Sequence, residues 1–162
     1  MSNEYEIGCG LTLKQEVEID TWSEDGKLDI RALAELRDGR YVCVDLRATS
    51  RGTEGVTSEK LRELTVGFYV EWAAETENPG IENELSARAR EAMESSKRVT
   101  DELLEVVSAT YRWGYATSGS PTAKVMETFG IERPRAARWV AQARERGFLG
   151  STDMRRPGGV IP

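Results

Sequence analysis

Five arginines and one lysine fall between Ser120 and Arg146, and their type and spacing suit the recognition of nucleic acid. A guanidinium is a planar fork of donors that matches the two acceptors on a guanine edge and pairs equally well with phosphate. Arg133, Arg135 and Arg138 fall in the N-terminal half of a helical stretch, with Arg144 and Arg146 at its end. The N-terminal residues of a recognition helix face base edges in the major groove. Lys124, Arg135, Arg144 and Arg146 offer cations to phosphates, and Thr122 and Gln142 complete the candidate DNA-contacting set. The plainer reading is that these arginines only solvate an exposed helix face.

The surrounding residues would position these groups. Ser120 is placed to cap a helix, and Pro121 fits its first position, where the missing N–H costs nothing. Val125 and Phe129 share a face, and Gly130 is expected to stop the helix with a left-handed backbone. Ile131 fills the corner. A second helix runs from about Arg133, with Pro134 tolerated in its first turn and Ala136, Trp139, Val140 and Ala143 inward at helical spacing. Two short helices around a tight glycine turn give the layout of a helix-turn-helix. Upstream, Val99-Thr100-Asp101-Glu102-Leu103-Leu104 reads as another helix start. Thr100 caps, Val99 and Leu104 form a staple, and the two acids favour the positive helix end. With Leu103, Val107, Tyr111 and Trp113 inward, this helix makes a three-helix unit.

Thr122 to Leu149 carries Phe129-Gly130-Ile131, then Ala136-Ala137-Arg138-Trp139-Val140, then Arg144-Glu145-Arg146-Gly147-Phe148-Leu149. This stretch resembles the helix-turn-helix proteins of actinobacteria and their phages. Those read Phe-Gly-Val-Ser-x-x-Thr-Ala-x-Arg-Trp-Val and then Ala-Arg-x-x-Gly-Leu-Leu. The resemblance implies duplex DNA binding and transcriptional control. Two positions depart from the pattern. Met126 stands where a small Ala is usual, near the helix crossing, and Glu132 stands where a Ser cap is usual. A carboxylate there can cap, but it repels a nearby phosphate.

Charge is unevenly spread over the 162 residues, whose net charge is −6. Ser120 to Pro162 holds eight basic and four acidic residues, a net +4, whereas the preceding part holds 14 basic and 24 acidic, a net −10. A basic module on an acidic body suits an oriented contact with DNA, because only one side gains from phosphate attraction. Catalysis is not expected. The chain has no His, no Gly-rich phosphate loop with its Lys and no metal-ligand spacing, and Glu16 and Glu18 fall on a solvated strand face. No cofactor is expected. Cys9 and Cys43 read as reduced thiols. No apolar run suits a membrane span and no signal segment is evident, so the expected location is cytoplasmic.

The fold expected is α+β: an antiparallel β-meander with covering helices, then the helix-turn-helix unit. Leu11, Leu13, Val17 and Ile19 alternate with polar residues, as do Leu28, Ile30, Ala32, Ala34 and Leu36. Asp38-Gly39 signals a hairpin, and Val42, Val44, Leu46 and Ala48 form the next inward face. A helix from Thr57 or Ser58, broken near Gly67, carries Leu61, Leu64, Phe68 and Trp72, which are expected as core against the sheet. Asn78-Pro79-Gly80 marks a boundary. The expected divisions are 1–78 for the sheet and its cover, 79–98 for a connecting helix, 99–150 for the DNA-binding domain and 151–162 for a flexible tail. Arg155 and Arg156 on that tail suit a minor-groove arm. Partners expected are double-stranded DNA and a second copy, the homodimer forming through the Ile81–Lys97 stripe or the outer sheet edge. A fragment from about Val99 is expected to fold alone. The competing expectation is a protein-interaction module whose acidic N-terminal region binds another protein, with the helix-turn-helix kept for packing.

Overall fold

Alternation of Val17, Ile19 and Thr21 on one strand against Ala34, Ala32 and Ile30 on the next builds the first buried face, since these residues pair directly and all are buried. They belong to a computed structural model that describes residues 4–95 and 98–150. Among the described residues, five strands come first: β1 (Glu4–Gly8), β2 (Leu11–Lys14), β3 (Glu16–Trp22), β4 (Leu28–Arg37) and β5 (Arg40–Ser50). Six helices follow: α1 (Ser58–Glu63), α2 (Val66–Glu77), α3 (Ile81–Ser95), α4 (Asp101–Thr117), α5 (Pro121–Phe129) and α6 (Arg133–Glu145). The architecture is α+β, as the sequence indicates. Strands β3, β4 and β5 form an antiparallel meander. Asp38 and Gly39 turn β4 into β5 with φ of 50° and 76°, the left-handed pair that a two-residue hairpin requires.

Three expectations for this half are corrected. The strand expected across residues 11–20 is two strands, broken at Gln15. There the Asn78 side chain accepts from the Lys14 N–H and the Gln15 carbonyl accepts from Leu36, so local pairing is exchanged for tertiary bonds. Released in this way, β2 pairs instead with β1, a strand the sequence reading did not assign. Second, Val42 and Val44 point outward. Leu33 opposes Asp45 while Ala34 opposes Cys43, so Val44 is an extra, bulged residue. The bulge reverses the phase: Tyr41 and Cys43 face the core before it, and Leu46 and Ala48 after it.

The third correction concerns the cover. Thr57 caps α1 as expected, but the chain breaks at Leu64 and Thr65, and Gly67 lies within α2. Helix α2 buries Tyr69, Val70, Ala73 and Ala74. The two alanines let it sit close on the sheet. Phe68 and Trp72, on the neighbouring face, are 56% and 38% exposed.

Most of the stripe on α3 is buried inside the chain. Ile81 and Leu85 join the core beneath the sheet, while Ala89 and Ala92 join the core of the C-terminal helices. Met93, farther along the same helix, stays exposed at 37%. Helix α4 also serves both cores. Leu103, Leu104, Val107 and Tyr111 pack with α5 and α6, but Ala109, Trp113 and Ala116 pack with the strands and α2. A fragment beginning at Val99 would expose those three residues, which argues against independent folding of that fragment. The tail with Arg155 and Arg156 lies outside the described residues.

Candidate nucleic-acid interface

Helices α5 and α6 meet at a three-residue turn. Gly130 closes α5 with φ of 60°, and Ile131 donates to the Met126 carbonyl to finish the corner. Val125, Phe129, Ala136, Trp139, Val140 and Ala143 fill the angle, with the Phe129 and Trp139 rings edge to face at 5.5 Å. Met126 and Ile131 pack at the margin of this core. The caps differ from expectation. Thr100 accepts from Leu103 as expected, but neither Ser120 nor Glu132 makes a side-chain cap bond. Beside Ser120, the backbone N–H of that residue is taken up by the Ser118 hydroxyl. The Glu132 carboxylate stays exposed at the start of α6. At the other end, Gly147 takes φ of 83°, and Phe148 and Gly147 donate to Ala143 and Arg144, sealing the last carbonyls.

Three residues that the sequence reading passed over fix this corner against α4. A Cβ on Gly114 would lie 2.5 Å from the Lys124 Cβ and 3.0 Å from the Pro121 Cα, so α4 and α5 cross at a point that admits no side chain. Arg112 is buried within α4 and donates to the carbonyls of Ile7 on β1 and Phe148 after α6. Burial pulls its pKa down. Glu82 at the start of α3 accepts from Lys124 at 2.7 Å and from the Trp113 indole at 3.3 Å. Hydrogen bonding from Lys124 holds the Glu82 carboxyl below its ordinary range. No spacing rule in the sequence flags the Arg112 and Glu82 contacts, which join residues 31 to 105 positions apart.

The eight candidate residues separate into two groups. Lys124 is turned inward, 12% exposed at its side chain, between Glu82 and Glu127. Arg144 donates to the Tyr111 hydroxyl at 2.9 Å and lies over that ring, with its Nε enclosed. Both are committed to holding the helices together. Arg146 pairs with Asp101 at 2.6 Å on the surface, and the Gln142 Oε1 is enclosed without a partner among the described residues. Arg135 is exposed and lies over the Trp139 ring at 4.7 Å. Thr122 is half-buried in the first turn of α5. Arg133 and Arg138 are exposed, and neither forms an ion pair or hydrogen bond among the described residues.

Helical geometry places these two on either side of one face. At about 100° per residue, Ala137 and Ala141 lie between Arg133 and Arg138 around the axis. Both alanines are exposed. The result is a shallow, small-residue track flanked by two unpaired guanidinium groups at the N-terminal half of α6. Pro134 and Glu145, also exposed, fall on the same face towards its two ends, and Glu132 precedes the helix. Such a track lets a groove floor approach the helix backbone closely, while the forks reach base acceptors and the methyl groups of alanine suit a thymine methyl.

The chain belongs to a family of unknown function (DUF6214), which matches residues 17–156 and so spans both cores. No curated protein and no solved structure matches it. No helix among the described residues is long and apolar enough to cross a membrane.

Proposed function

We propose that this member of the family is a sequence-specific, double-stranded DNA-binding protein that reads the major groove with α6 and acts as a transcriptional regulator. The observation that carries the reading is the pair Arg133 and Arg138, exposed and unpaired on either side of Ala137 and Ala141 on the second helix of a glycine-cornered pair. A bidentate arginine contact to guanine discriminates bases by about 1–3 kcal/mol. Arg135, and Arg146 once released from Asp101, supply phosphate contacts at the flanks. Lys124, Arg144, Arg112 and Gly114 act one step back, by fixing the angle of α6. The reading places the protein in the cytoplasm, where the chromosome is.

One α6 covers few base pairs, so two half-sites on a two-fold axis are the economical arrangement. With most of the α3 stripe buried, the outer side of β5 is a candidate for self-pairing, where Val42 and Val44 are exposed. Selection of genomic fragments by the full chain, followed by sequencing, tests the proposal. A sharp motif is expected, and inverted symmetry in it would report a dimer. Recovery no better than random fragments would remove the DNA reading and leave the outward Val42 and Val44 as a surface for a protein partner.

A further inference from the structure

The acidic half carries a solvent-open groove on a different part of the molecule from the arginine track. It encloses about 1000 Å³ between the β3–β4 turn and helices α1 and α2. Trp22, Phe68 and Trp72 line it and are all exposed, although large aromatic rings ordinarily seek burial. Phe68 stands 5.4 Å from the Tyr69 ring and 5.8 Å from the Trp72 ring, so the three form a continuous aromatic wall along α2. Concave, mostly apolar sites of this size with a few polar groups are the usual form of a small-molecule site.

The charges at the rim are mainly negative, three carboxylates to one ammonium. Glu24 and Glu63 line the groove, are exposed, and have no ion-pair or hydrogen-bond partner among the described residues. Asp25 adds a third carboxylate, held by the Ser23 hydroxyl and the Lys27 N–H and 3.8 Å from the Lys27 ammonium. Cations near the groove are already occupied. Lys60 lies 3.3 Å from both Glu54 and the Gly55 carbonyl, and Arg51, over the Trp22 ring, is paired with Asp29. The Tyr69 hydroxyl senses the same balance: burial raises its pKa, and the charges of Glu24 and Asp25 raise it further.

We propose that this groove binds an organic cation with an apolar aromatic or alkyl body. The aromatic wall of Phe68, Tyr69 and Trp72, with Trp22 opposite, takes the body and the π faces attract the charge. Glu24 and Glu63 neutralise it. An anion of the same shape meets three carboxylates against the single ammonium of Lys60, which Glu54 already pairs, and a neutral molecule leaves the carboxylates without a partner. The site does not depend on the DNA-binding reading.

Tetraphenylphosphonium and tetraphenylborate, matched in shape and opposite in sign, are the probes. The full chain is titrated with each by calorimetry and by tryptophan fluorescence. Trp22 and Trp72 report on the groove because Trp113 and Trp139 are buried. Saturable binding of the phosphonium is expected, with the borate weaker by about tenfold or more, the scale of one lost charge-assisted contact. E24Q together with E63Q should weaken the phosphonium by a similar factor without moving the melting curve, since both side chains are exposed. W72A should weaken it further. Equal binding of the two ions, no binding of the phosphonium, or indifference to E24Q with E63Q would overturn the proposal. So would a full-length dimer, seen by light scattering, in which both groove tryptophans are shielded from acrylamide, because the groove would then be an interface between copies.

Discussion

Replacing Gly114 by alanine should loosen the joint between α4 and α5. The added Cβ would sit 2.5 Å from the Lys124 Cβ and 3.0 Å from the Pro121 Cα. Carbon atoms in contact prefer about 3.5–4.0 Å. Neither opposing atom can swing away by rotating a side chain, so the helices must part by about 1 Å. Overpacking of this kind costs about 1–3 kcal/mol, and the better helix propensity of alanine returns up to about 1 kcal/mol. The expected net loss is about 1–2 kcal/mol, equivalent to a fall of about 2–8 °C in Tm for a chain of this size. Thermal and urea unfolding followed by circular dichroism measure it. A double-mutant cycle with Lys124→Gly tests the cause. Removing the Lys124 Cβ in the Gly114→Ala background should recover part of the loss, giving a coupling of about 0.5 kcal/mol or more. A Gly114→Ala protein that melts at or above the parent temperature would refute the close crossing.

Three further outcomes follow from the same geometry. With Lys124 and Arg144 engaged internally and Arg133 and Arg138 on base edges, Arg135 and Arg146 remain for phosphates, so the slope of log K against log salt should be about −2 per chain and double in a paired complex. A flat response would exclude phosphate anchoring. Lys124→Ala should lower stability by leaving Glu82 with the Trp113 indole alone, and should weaken DNA affinity without changing the salt slope, because Lys124 holds the angle of α6 and touches no phosphate; titration with DNA at several salt concentrations, well below the melt, checks it. Burial pushes the Tyr41 hydroxyl up to about 12, although a hydrogen bond from Asn78 opposes it. A raised folded pKa means that this contribution is intact below about pH 10, the unfolded value, and is lost as pH climbs through the folded one. Stability should therefore fall between about pH 10 and 12, and urea titrations should find a shallower fall in Tyr41→Phe.

Much of the C-terminal unit was legible because its signals are local. Gly130, Thr100 and the Val125–Phe129 and Ala136–Ala143 spacings each act within a turn or two of helix, and the structure follows them. The misreadings share a physical origin in tertiary competition. The alternation through Leu11–Ile19 is unbroken in sequence, yet Asn78 and Leu36 claim the backbone around Gln15 and divide it. Val42 and Val44 alternate correctly with Leu46 and Ala48, but one bulged residue reverses which side they face. On α2 the expected stripe of Phe68 and Trp72 gives way to Ala73 and Ala74, whose small side chains let the helix approach the sheet. Among the candidate site residues, sequence marked the arginines by type but not by availability. Glu82, Tyr111 and Asp101, each distant in the chain, decide which of Lys124, Arg144 and Arg146 is engaged, and leave Arg133 and Arg138 uncovered.

The central claim rests on those two side chains. Once genomic selection has supplied a site, titration of that duplex by the parent chain, Arg133→Ala and Arg138→Ala tests it most directly. Each variant should keep the parental circular dichroism and melting curve and lose about 1–3 kcal/mol of specific binding, with relaxed preference at one base pair. Parental affinity and parental base preference in both variants would contradict the assignment of α6 to the major groove.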